Sequence, residues 1–144
     1  MKKIKKNADL ILASNVFAHS DKLKEMAECM ISLLSNKGTI IIEVQYLMNT
    51  LKDLTFDNIY HEHYNYWSLT SLVYFFNQFN AKIYKSEIVD THGGSIRVYI
   101  KKDNKVKIEK SVNKMLKDEE DFGIKNFKTY REFGEKVYKI RENV

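Results

Sequence analysis

Several residue types that mark particular protein classes are absent from this chain or scarce in it. There is no proline, and there is only one cysteine in 144 residues. The lack of proline excludes a proline-rich linker between domains. The sequence also has no internal repeats and no low-complexity linker. The single cysteine, Cys29, excludes an internal disulfide framework and a zinc site built from several cysteines. We expect Cys29 to be a buried, unreactive thiol, because it lies on the apolar face of a predicted helix.

Long apolar runs are also missing. No stretch approaches the roughly 18 residues that a membrane-spanning helix needs, so we expect a soluble protein. The N-terminal lysines followed by Leu10, Ile11 and Leu12 imitate a secretory signal. However, Asp9 interrupts the pattern, and the unbroken apolar run ends at Ala13. We therefore interpret this segment as a strand of a cytoplasmic protein.

Positive charge exceeds negative charge, but it is not concentrated in one place. The 24 lysines and arginines outnumber the 19 acidic residues, and the formal net charge is +5. Such a balance suits a phosphate-bearing partner, yet the lysines alternate with acidic residues along the chain. We therefore expect a solvated surface and no nucleic-acid binding. The apolar content of 44% suits one domain with a single core.

The hydrophobic pattern of the first third predicts a parallel βαβ unit. A short apolar strand is expected at residues 8–13, and a helix begins after Ser20 and ends at Gly38. Residues 39–44 are rich in β-branched side chains and are expected to form a buried strand. Strand, helix and strand within about 35 residues form a right-handed crossover that joins parallel strands.

The rest of the chain predicts helices around an antiparallel pair of strands. A buried helix is expected at residues 68–80, and strands are expected at residues 81–90 and 95–102. Gly93 and Gly94 lie in the reversal between these strands. Two charged helices follow at residues 108–120 and 127–142, with a break at Gly123. We divide this α/β protein into residues 8–102 and a helical tail, residues 103–144.

All four histidines lie outside the predicted helices. His19 follows the first parallel strand, His61 and His63 come after the second, and His92 lies in the predicted reversal. Ligands of open parallel sheets bind beyond the carboxyl ends of the strands. We therefore expect His19 and His63 on the same side of the sheet, at its carboxyl edge.

Residues 60–67, YHEHYNYW, concentrate imidazole, carboxylate and phenol groups without helical or strand periodicity. We interpret this segment as a binding loop with His63 as its general base, because a free imidazole has a pKa of about 6.5. Glu62 and Tyr60 are its expected polar neighbours. His19 is expected to hydrogen bond to a substrate oxygen from the opposite wall.

Two other interpretations of this loop remain open. The aromatic rings could fill the space between sheet and helix, while the histidines hydrogen bond only to backbone carbonyls. Alternatively, His61 and His63 could project to one side and bind a metal ion. A stable zinc site uses three or four ligands, and no second pair is evident, so we expect no metal.

Three ordered blocks of the sequence resemble signatures of the deoxysugar C-methyltransferases, which act on sugar nucleotides and use S-adenosylmethionine. The blocks are residues 15–19 (NVFAH), 56–63 (FDNIYHEH) and 92–99 (HGGSIRVY). The resemblance covers residues 9–102 well and the helical tail more weakly. It implies a partial Rossmann-like sheet, the later half of a class I methyltransferase domain.

The resemblance also implies a mechanism. A histidine at the position of His63 removes the proton beside a sugar ketone, and the resulting enolate attacks the methyl group of the cofactor. Residues at the positions of Tyr60, Glu62 and His19 hydrogen bond around the sugar.

The same resemblance gives further contacts. Substrate contacts are expected at Tyr64, His92 and Gly93, and cofactor contacts at Asn15 and Phe17.

The chain departs from the family pattern in two places. It begins where the fourth strand of the family's sheet would be, so the glycine-rich loop and the zinc module are not in it. We therefore expect an incomplete pocket for S-adenosylmethionine. Gln45 stands where the family commonly has proline, which alters the loop after the second strand.

Two functions compete on this basis. The first is methyl transfer to a carbon beside the ketone of a nucleotide-linked keto-deoxysugar, by a fragment or split piece of such an enzyme. The second is a noncatalytic remnant that binds a sugar nucleotide or a protein partner. In either case an open sheet edge is expected to recruit the missing N-terminal half or a second copy.

Overall fold

The computed structural model describes residues 7–91, 93–103 and 105–142. These residues form a four-stranded sheet in the order β1-β2-β4-β3. The strands are Ala8–Ser14 (β1), Leu34–Gln45 (β2), Lys82–Val89 (β3) and Ser95–Lys101 (β4). β1 and β2 are parallel, whereas β4 is antiparallel to both of its neighbours, β2 and β3. β1, β2 and β3 therefore run in the same direction, and the reversed strand β4 lies between β2 and β3.

The described residues also form five α-helices. They are Leu23–Leu33 (α1), Leu47–Asp53 (α2), Leu69–Asn77 (α3), Lys110–Phe122 (α4) and Phe127–Glu142 (α5). The predicted α/β fold is confirmed, including the parallel and antiparallel strand pairs and the break at Gly123, which has a φ of 82°. α2 was not predicted, because seven residues are too few for a helical period to emerge. No helix in these ranges has the length and apolar character needed to cross a membrane.

The connection from α1 to β2 differs from the prediction. α1 ends at Leu33, and Gly38 lies inside β2 rather than at the end of the helix. A β-carbon at Gly38 would lie 2.7 Å from Leu34 Cδ1 and 2.9 Å from the carbonyl oxygen of Ala8. The register between β1 and β2 shifts at this point. Glycine therefore permits a close approach of the two strands instead of ending a helix.

Cys29 is exposed, so the prediction of a buried thiol is wrong. The buried residues of α1 are Ala27 and Met30. Cys29 lies two residues after Ala27, which is more than half a turn around a helix of 3.6 residues per turn. Its side chain therefore points away from the sheet.

One face of the sheet carries the hydrophobic core. Alternate residues of β2 and β4 are buried there together with residues of α1, α3 and α4. Fully buried examples are Ile40, Ile42, Ile96, Ile100, Leu69, Leu72 and Phe76. Burying such a side chain contributes about 1.5–3 kcal/mol. The opposite face carries a charged network in which Arg97 bridges Glu43, at 2.7 Å, and Glu87, at 3.2 Å.

Glu119 joins α4 to α3. Its side chain is fully buried and accepts hydrogen bonds from the backbone nitrogens of Leu69, at 2.5 Å, and Thr70, at 2.8 Å. First-turn amides have no partner within their own helix, and a negative charge is favourable at that end of a helix. Burial raises the pKa of Tyr46, and the nearby Glu119 carboxylate adds to this effect. We call these four residues the Glu119 junction. It attaches the first helix of the predicted tail to the α/β region.

Candidate functional site

The carboxyl ends of β1 and β2 meet at one edge of the sheet. The backbone nitrogen of Asn15 donates to the carbonyl of Glu43 at 2.9 Å, one residue beyond the end of β1. Asn15 has a φ of 54°, in the left-handed region that asparagine tolerates better than most residues. The chain turns there into a 3₁₀ helix, Phe17–His19. This turn carries His19 to the sheet edge.

The loop after α2 is bonded to the segment that follows β1. The carbonyl of Ala18 accepts hydrogen bonds from the backbone nitrogens of Tyr64, at 3.1 Å, and Asn65, at 3.3 Å. The side-chain nitrogen of Asn65 donates to the carbonyl of Ser20 at 3.1 Å. Residues separated by more than 40 positions in sequence are thereby held as one unit.

His19 and His63 lie next to each other in this unit, with ring centroids 4.8 Å apart. Nδ1 of His19 lies 2.9 Å from the carbonyl oxygen of Glu62, and Nδ1 of His63 lies 3.0 Å from that of Asn58. A carbonyl oxygen only accepts hydrogen bonds, so each Nδ1 carries a hydrogen. Nε2 is therefore the unprotonated nitrogen of each neutral ring. The prediction that the two histidines share the carboxyl edge is confirmed.

Tyr60 and Tyr66 flank the ring of His63. The hydroxyl oxygen of Tyr60 lies 3.4 Å from Nε2 of His63, a long hydrogen bond in which the phenol donates to the basic nitrogen. The Tyr66 ring is edge-on to His63, and its hydroxyl donates to the Asn58 carbonyl at 3.4 Å. One backbone carbonyl thus fixes both the orientation of His63 and the position of Tyr66.

A cavity of about 160 Å³ opens beside these rings. Its walls include Asn15, His19, Gln45, Tyr60 and His63. We call it the histidine cavity. Pockets that enclose a whole drug-sized ligand measure roughly 300–1,000 Å³. The histidine cavity is therefore too small to enclose a complete nucleotide or cofactor.

Phe17 and Glu62, two of the predicted site residues, do not line the histidine cavity but contact residues near it. Phe17 is fully buried, and its ring packs on Trp67, Phe75 and Phe76 at centroid distances of 5.4–5.8 Å. Its side chain supports the turn from the core side. Glu62 is exposed, and its backbone carbonyl makes the contact with His19.

The other predicted residues that the structure describes do not line the cavity. The Tyr64 side chain is 63% exposed, and Gly93 is an exposed turn residue with a φ of 76°. His92 lies outside the described residues. His61 is exposed and edge-on to Tyr60 at 6.1 Å. Across the described ranges, no group of three or more His, Cys, Asp or Glu side chains is placed to hold a metal ion.

Two residues of the site were not identified from the sequence as part of it. Asn58 acts through its backbone carbonyl, which every residue has, so no side-chain signal marks it. Gln45 is a polar residue at the carboxyl end of an apolar strand, and that placement is a signal that the sequence does contain.

Comparisons with known proteins agree with this architecture. Residues 90–144 match the family described as C-methyltransferase C-terminal domain. C-methyltransferase NovU of Streptomyces niveus is 34% identical over 140 residues, which cover 95% of this chain and 33% of that protein. The chain thus spans about a third of the length of the curated relative that it matches.

A solved structure shows a similar fold. The magnesium protoporphyrin IX methyltransferase ChlM of Synechocystis PCC 6803, crystallised with bound SAH, matches with a TM-score of 0.50 and 12% identity. The match covers 68% of this chain and 46% of ChlM. The resemblance predicted from the three sequence blocks is confirmed: the chain is similar in sequence to a C-methyltransferase, and its fold is similar to part of a class I methyltransferase domain.

Proposed function

We propose that this chain carries the base of a methyltransferase acting on the carbon beside the ketone of a nucleotide-linked keto-deoxysugar. The observation that carries the proposal is the contact between Nδ1 of His63 and a backbone carbonyl, which orients the ring. Nδ1 is bonded to the Asn58 carbonyl at 3.0 Å, so the basic lone pair is on Nε2, which, among the described residues, is met only by the long 3.4 Å contact from the Tyr60 hydroxyl. His63 lines the histidine cavity. S-adenosylmethionine, when bound, supplies an electrophilic methyl group.

Proton removal is the step that these residues can perform. Nε2 of His63 takes the proton from the carbon beside the ketone, and the C–H electron pair moves toward the carbonyl to give an enolate. The hydrogen bond to Tyr60 then reverses, because the protonated Nε2 donates and the phenol oxygen accepts. The Asn58 carbonyl continues to hold Nδ1–H, so the ring keeps its orientation throughout.

His19 suits the substrate oxygens. Its Nδ1 is bonded to the Glu62 carbonyl, so Nε2 accepts a hydrogen bond from a sugar hydroxyl when the ring is neutral. A protonated His19 donates to the enolate oxygen instead. Glu62 contributes its backbone carbonyl to this arrangement and leaves its carboxylate toward solvent. We assign both residues to substrate positioning rather than to proton removal.

The segment after β1 fits one side of a cofactor site. Asn15 is half-buried, stands at the carboxyl end of a parallel strand and lines the histidine cavity. We propose that Asn15 contacts S-adenosylmethionine, and that Phe17 contributes by holding the turn against the core. Tyr64 and Gly93 are exposed, and we propose that they contact the nucleotide sugar outside the cavity. The same proposal extends to His92.

The outer edge of β1 suits a protein partner. Within the described ranges, no strand pairs with that edge, and Leu10 and Leu12 are 60% and 64% exposed on the face opposite the core. We propose that this edge pairs with another segment of a methyltransferase domain or with a second copy of the chain. Analytical ultracentrifugation of the wild type and of Leu12→Lys measures whether the chain associates. A wild type that stays monomeric both with and without such a segment contradicts the proposal.

Solvent deuterium exchange tests the catalytic proposal. Removal and return of the substrate proton requires the base but no methyl donor, so the chain is incubated with a nucleotide-linked keto-deoxysugar in D₂O. We expect exchange at the carbon beside the ketone in the wild type, its loss in His63→Ala and its retention in His61→Ala. His61 is the matched control, since it lies in the same loop but is exposed. Binding without exchange in the wild type would instead support the noncatalytic alternative.

A further inference from the structure

A second and larger cavity lies between α3 and α4, and we call it the helix groove. Its volume is about 970 Å³, within the roughly 300–1,000 Å³ of pockets that hold a whole small-molecule ligand. The histidine cavity is too small for a complete nucleotide, so the nucleotide part of a sugar nucleotide needs a site outside it. The helix groove has the volume that such a site requires.

Tyr66 connects the helix groove to the proposed base. Tyr66 lines the groove, and its ring is edge-on to that of His63, with the ring centroids 5.9 Å apart. Leu47 also lines the groove, two residues after the end of β2. The groove therefore begins at the same edge of the sheet as the histidine cavity. One extended ligand can place its reacting end beside His63 and its other end in the groove.

The Glu119 junction fixes which parts of α3 and α4 lie side by side. Glu119, in the last turn of α4, accepts hydrogen bonds from backbone nitrogens in the first turn of α3. The carboxyl-terminal part of α4 therefore lies beside the start of α3, which follows Tyr66 closely in sequence. Lys117 lines the groove from this part of α4, and Lys125 lines it just beyond the end of the helix. Both lysines thus belong to the end of the groove near Tyr66.

These two lysines give the near end of the groove an excess of positive charge. Neither lysine forms an ion pair within the described part of the chain. Glu120 also lines the groove, so two positive charges face one negative charge. A lysine ammonium is a compact point charge that suits phosphate oxygens. The near end of the groove therefore favours a phosphate-bearing group.

The far end of the groove carries groups that suit a nucleobase. Tyr74 lines the groove and is 73% exposed, so its ring is accessible for stacking on a base. Asn113, near the start of α4, and Asn77, the last residue of α3, line the same end. The Asn77 side-chain oxygen already accepts a hydrogen bond from Lys82 at 2.9 Å. The amide of Asn113 offers both a donor and an acceptor to the edge of a base.

We propose that the helix groove binds the nucleoside diphosphate part of the sugar nucleotide, with the phosphates beside Lys117 and Lys125 and the base on Tyr74. This inference rests on the proposed function and adds the nucleotide site to it. The order of groups along the groove matches the order within the substrate, in which the diphosphate lies between the sugar and the nucleoside. The sugar then passes Tyr66 and reaches the histidine cavity.

Calorimetric titration tests the phosphate contacts without any chemistry. The chain is titrated with the diphosphates of uridine, thymidine, adenosine and guanosine, and with inorganic pyrophosphate. We expect at least one nucleoside diphosphate to bind, and Lys117→Gln to weaken its binding about tenfold or more through the loss of a charged hydrogen bond. Lys110→Gln is the matched control, since it makes the same charge change on the same helix but Lys110 does not line the groove.

The base contact is tested in the same way. The nucleoside diphosphate should bind more tightly than pyrophosphate, and Tyr74→Leu should weaken it about fivefold or more, because stacking on the ring is lost. Tyr138→Leu is the control, since Tyr138 is an exposed tyrosine of α5 that does not line the groove. Equal thermal midpoints of all variants exclude a folding defect.

Three results overturn the inference. The first is that none of the four nucleoside diphosphates binds. The second is an equal loss in Lys117→Gln and Lys110→Gln, which would show only a general attraction to positive charge. The third is that pyrophosphate binds as tightly as the nucleosides' diphosphates and that Tyr74→Leu changes nothing, which would refute the base contact.

Failure of the proposed function is distinguishable from failure of this inference. If the nucleoside diphosphate binds with the expected variant effects but the wild type shows no deuterium exchange, the base assignment of His63 falls and the nucleotide site stands. If exchange depends on His63 but Lys117→Gln leaves the KM of the sugar nucleotide unchanged, the proposed function stands and the helix groove is not the nucleotide site.

Discussion

In both the Glu119 junction and the histidine cavity, ionisable side chains hydrogen bond to backbone groups. The two regions differ in how far these side chains are buried. Glu119 is fully buried, and both of its oxygens accept hydrogen bonds from the first turn of α3. His19 and His63 are half-buried, and each uses one ring nitrogen on a backbone carbonyl. Both oxygens of Glu119 are therefore engaged by backbone groups, whereas Nε2 of His63, among the described residues, makes only a long contact with the Tyr60 hydroxyl.

This difference separates a structural role from a chemical one. A buried charge is tolerated only when its hydrogen-bonding groups are satisfied, and removing it leaves the partners unpaired. A base needs the reverse, a fixed ring with an available lone pair. Substitution at the junction should therefore change stability, and substitution at the cavity should change rate.

The largest expected effect is the loss of rate in His63→Ala. A positioned general base contributes about 10²–10⁴-fold, so exchange at the substrate carbon should fall by that factor. The free energy of unfolding should change by less than about 1 kcal/mol, because His63 is half-buried and its side chain, apart from the long contact with Tyr60, makes one hydrogen bond among the described residues, to the Asn58 carbonyl. Urea denaturation followed by Trp67 fluorescence, run beside the exchange assay, measures both. A large stability loss with unchanged exchange would reverse the roles of the two regions.

The next effect is a loss of stability in Glu119→Ala. This change leaves the backbone nitrogens of Leu69 and Thr70 without their acceptor and should lower the free energy of unfolding by about 3 kcal/mol. Glu120→Ala is the matched control, since Glu120 is the exposed neighbour on the same helix. Glu119→Gln should fall between the two, because an amide offers one acceptor oxygen. A loss below about 1 kcal/mol would show that α4 is held by apolar packing alone.

The hairpin between β3 and β4 tests a smaller, steric effect. Gly94 has a φ of 101°, and a β-carbon there would collide with the side-chain nitrogen of Asn49 on α2. Gly93 has a φ of 76°, but a β-carbon there meets no atom of the described residues within 4 Å. Gly93→Ala should cost about 1 kcal/mol from backbone strain, and Gly94→Ala about 2 kcal/mol or more. Thermal unfolding of both variants measures the difference, and equal losses would show that Asn49 yields easily.

Local patterns were enough to predict most of the fold. The β-branched runs that became β2 and β4 and the helical periods of α3 and α4 are properties of neighbouring residues. The meeting of His19 and His63 also followed from a general rule, since both come after parallel strands. These features could be predicted because they need no knowledge of which distant atoms touch.

The parts that could not be predicted depend on long-range contacts. The Asn58 carbonyl selects the tautomer of His63, yet any residue could offer that carbonyl. Gly38 was predicted to end a helix, but it lies inside β2, where the close approach of the Ala8 carbonyl leaves no room for a β-carbon. The exposure of Cys29 depends on which side of α1 meets the sheet. In each case the sequence names the residue, and the tertiary fold decides its role.

The smallest expected effect lies in the charged network on the face opposite the core. The hydroxyl of Tyr99 donates to Glu87 at 2.6 Å, and this bond, together with Lys85 and Arg97, lowers the pKa of the Glu87 carboxyl. A lowered pKa in the folded state stabilises the protein above the carboxyl's ordinary pKa. That contribution is lost as the pH falls through the lowered value. Glu87, Tyr99 and Arg97 thus bond to one another through their side chains, whereas His19 and His63 each bond a backbone carbonyl.

Tyr99→Phe should therefore raise the pKa of Glu87 toward its ordinary value, because the hydroxyl bond is the largest cause of the shift. Stability of the variant should differ from that of the wild type above the Glu87 titration and converge with it in more acidic solution. Carbon-13 NMR titration of the Glu87 carboxyl measures the pKa directly. Tyr84→Phe is the matched control, since its ring lies 6.2 Å from that of Tyr99 but is not the donor to Glu87. An unchanged Glu87 titration in Tyr99→Phe would assign the shift to Lys85 and Arg97, and would make this face a purely ionic network.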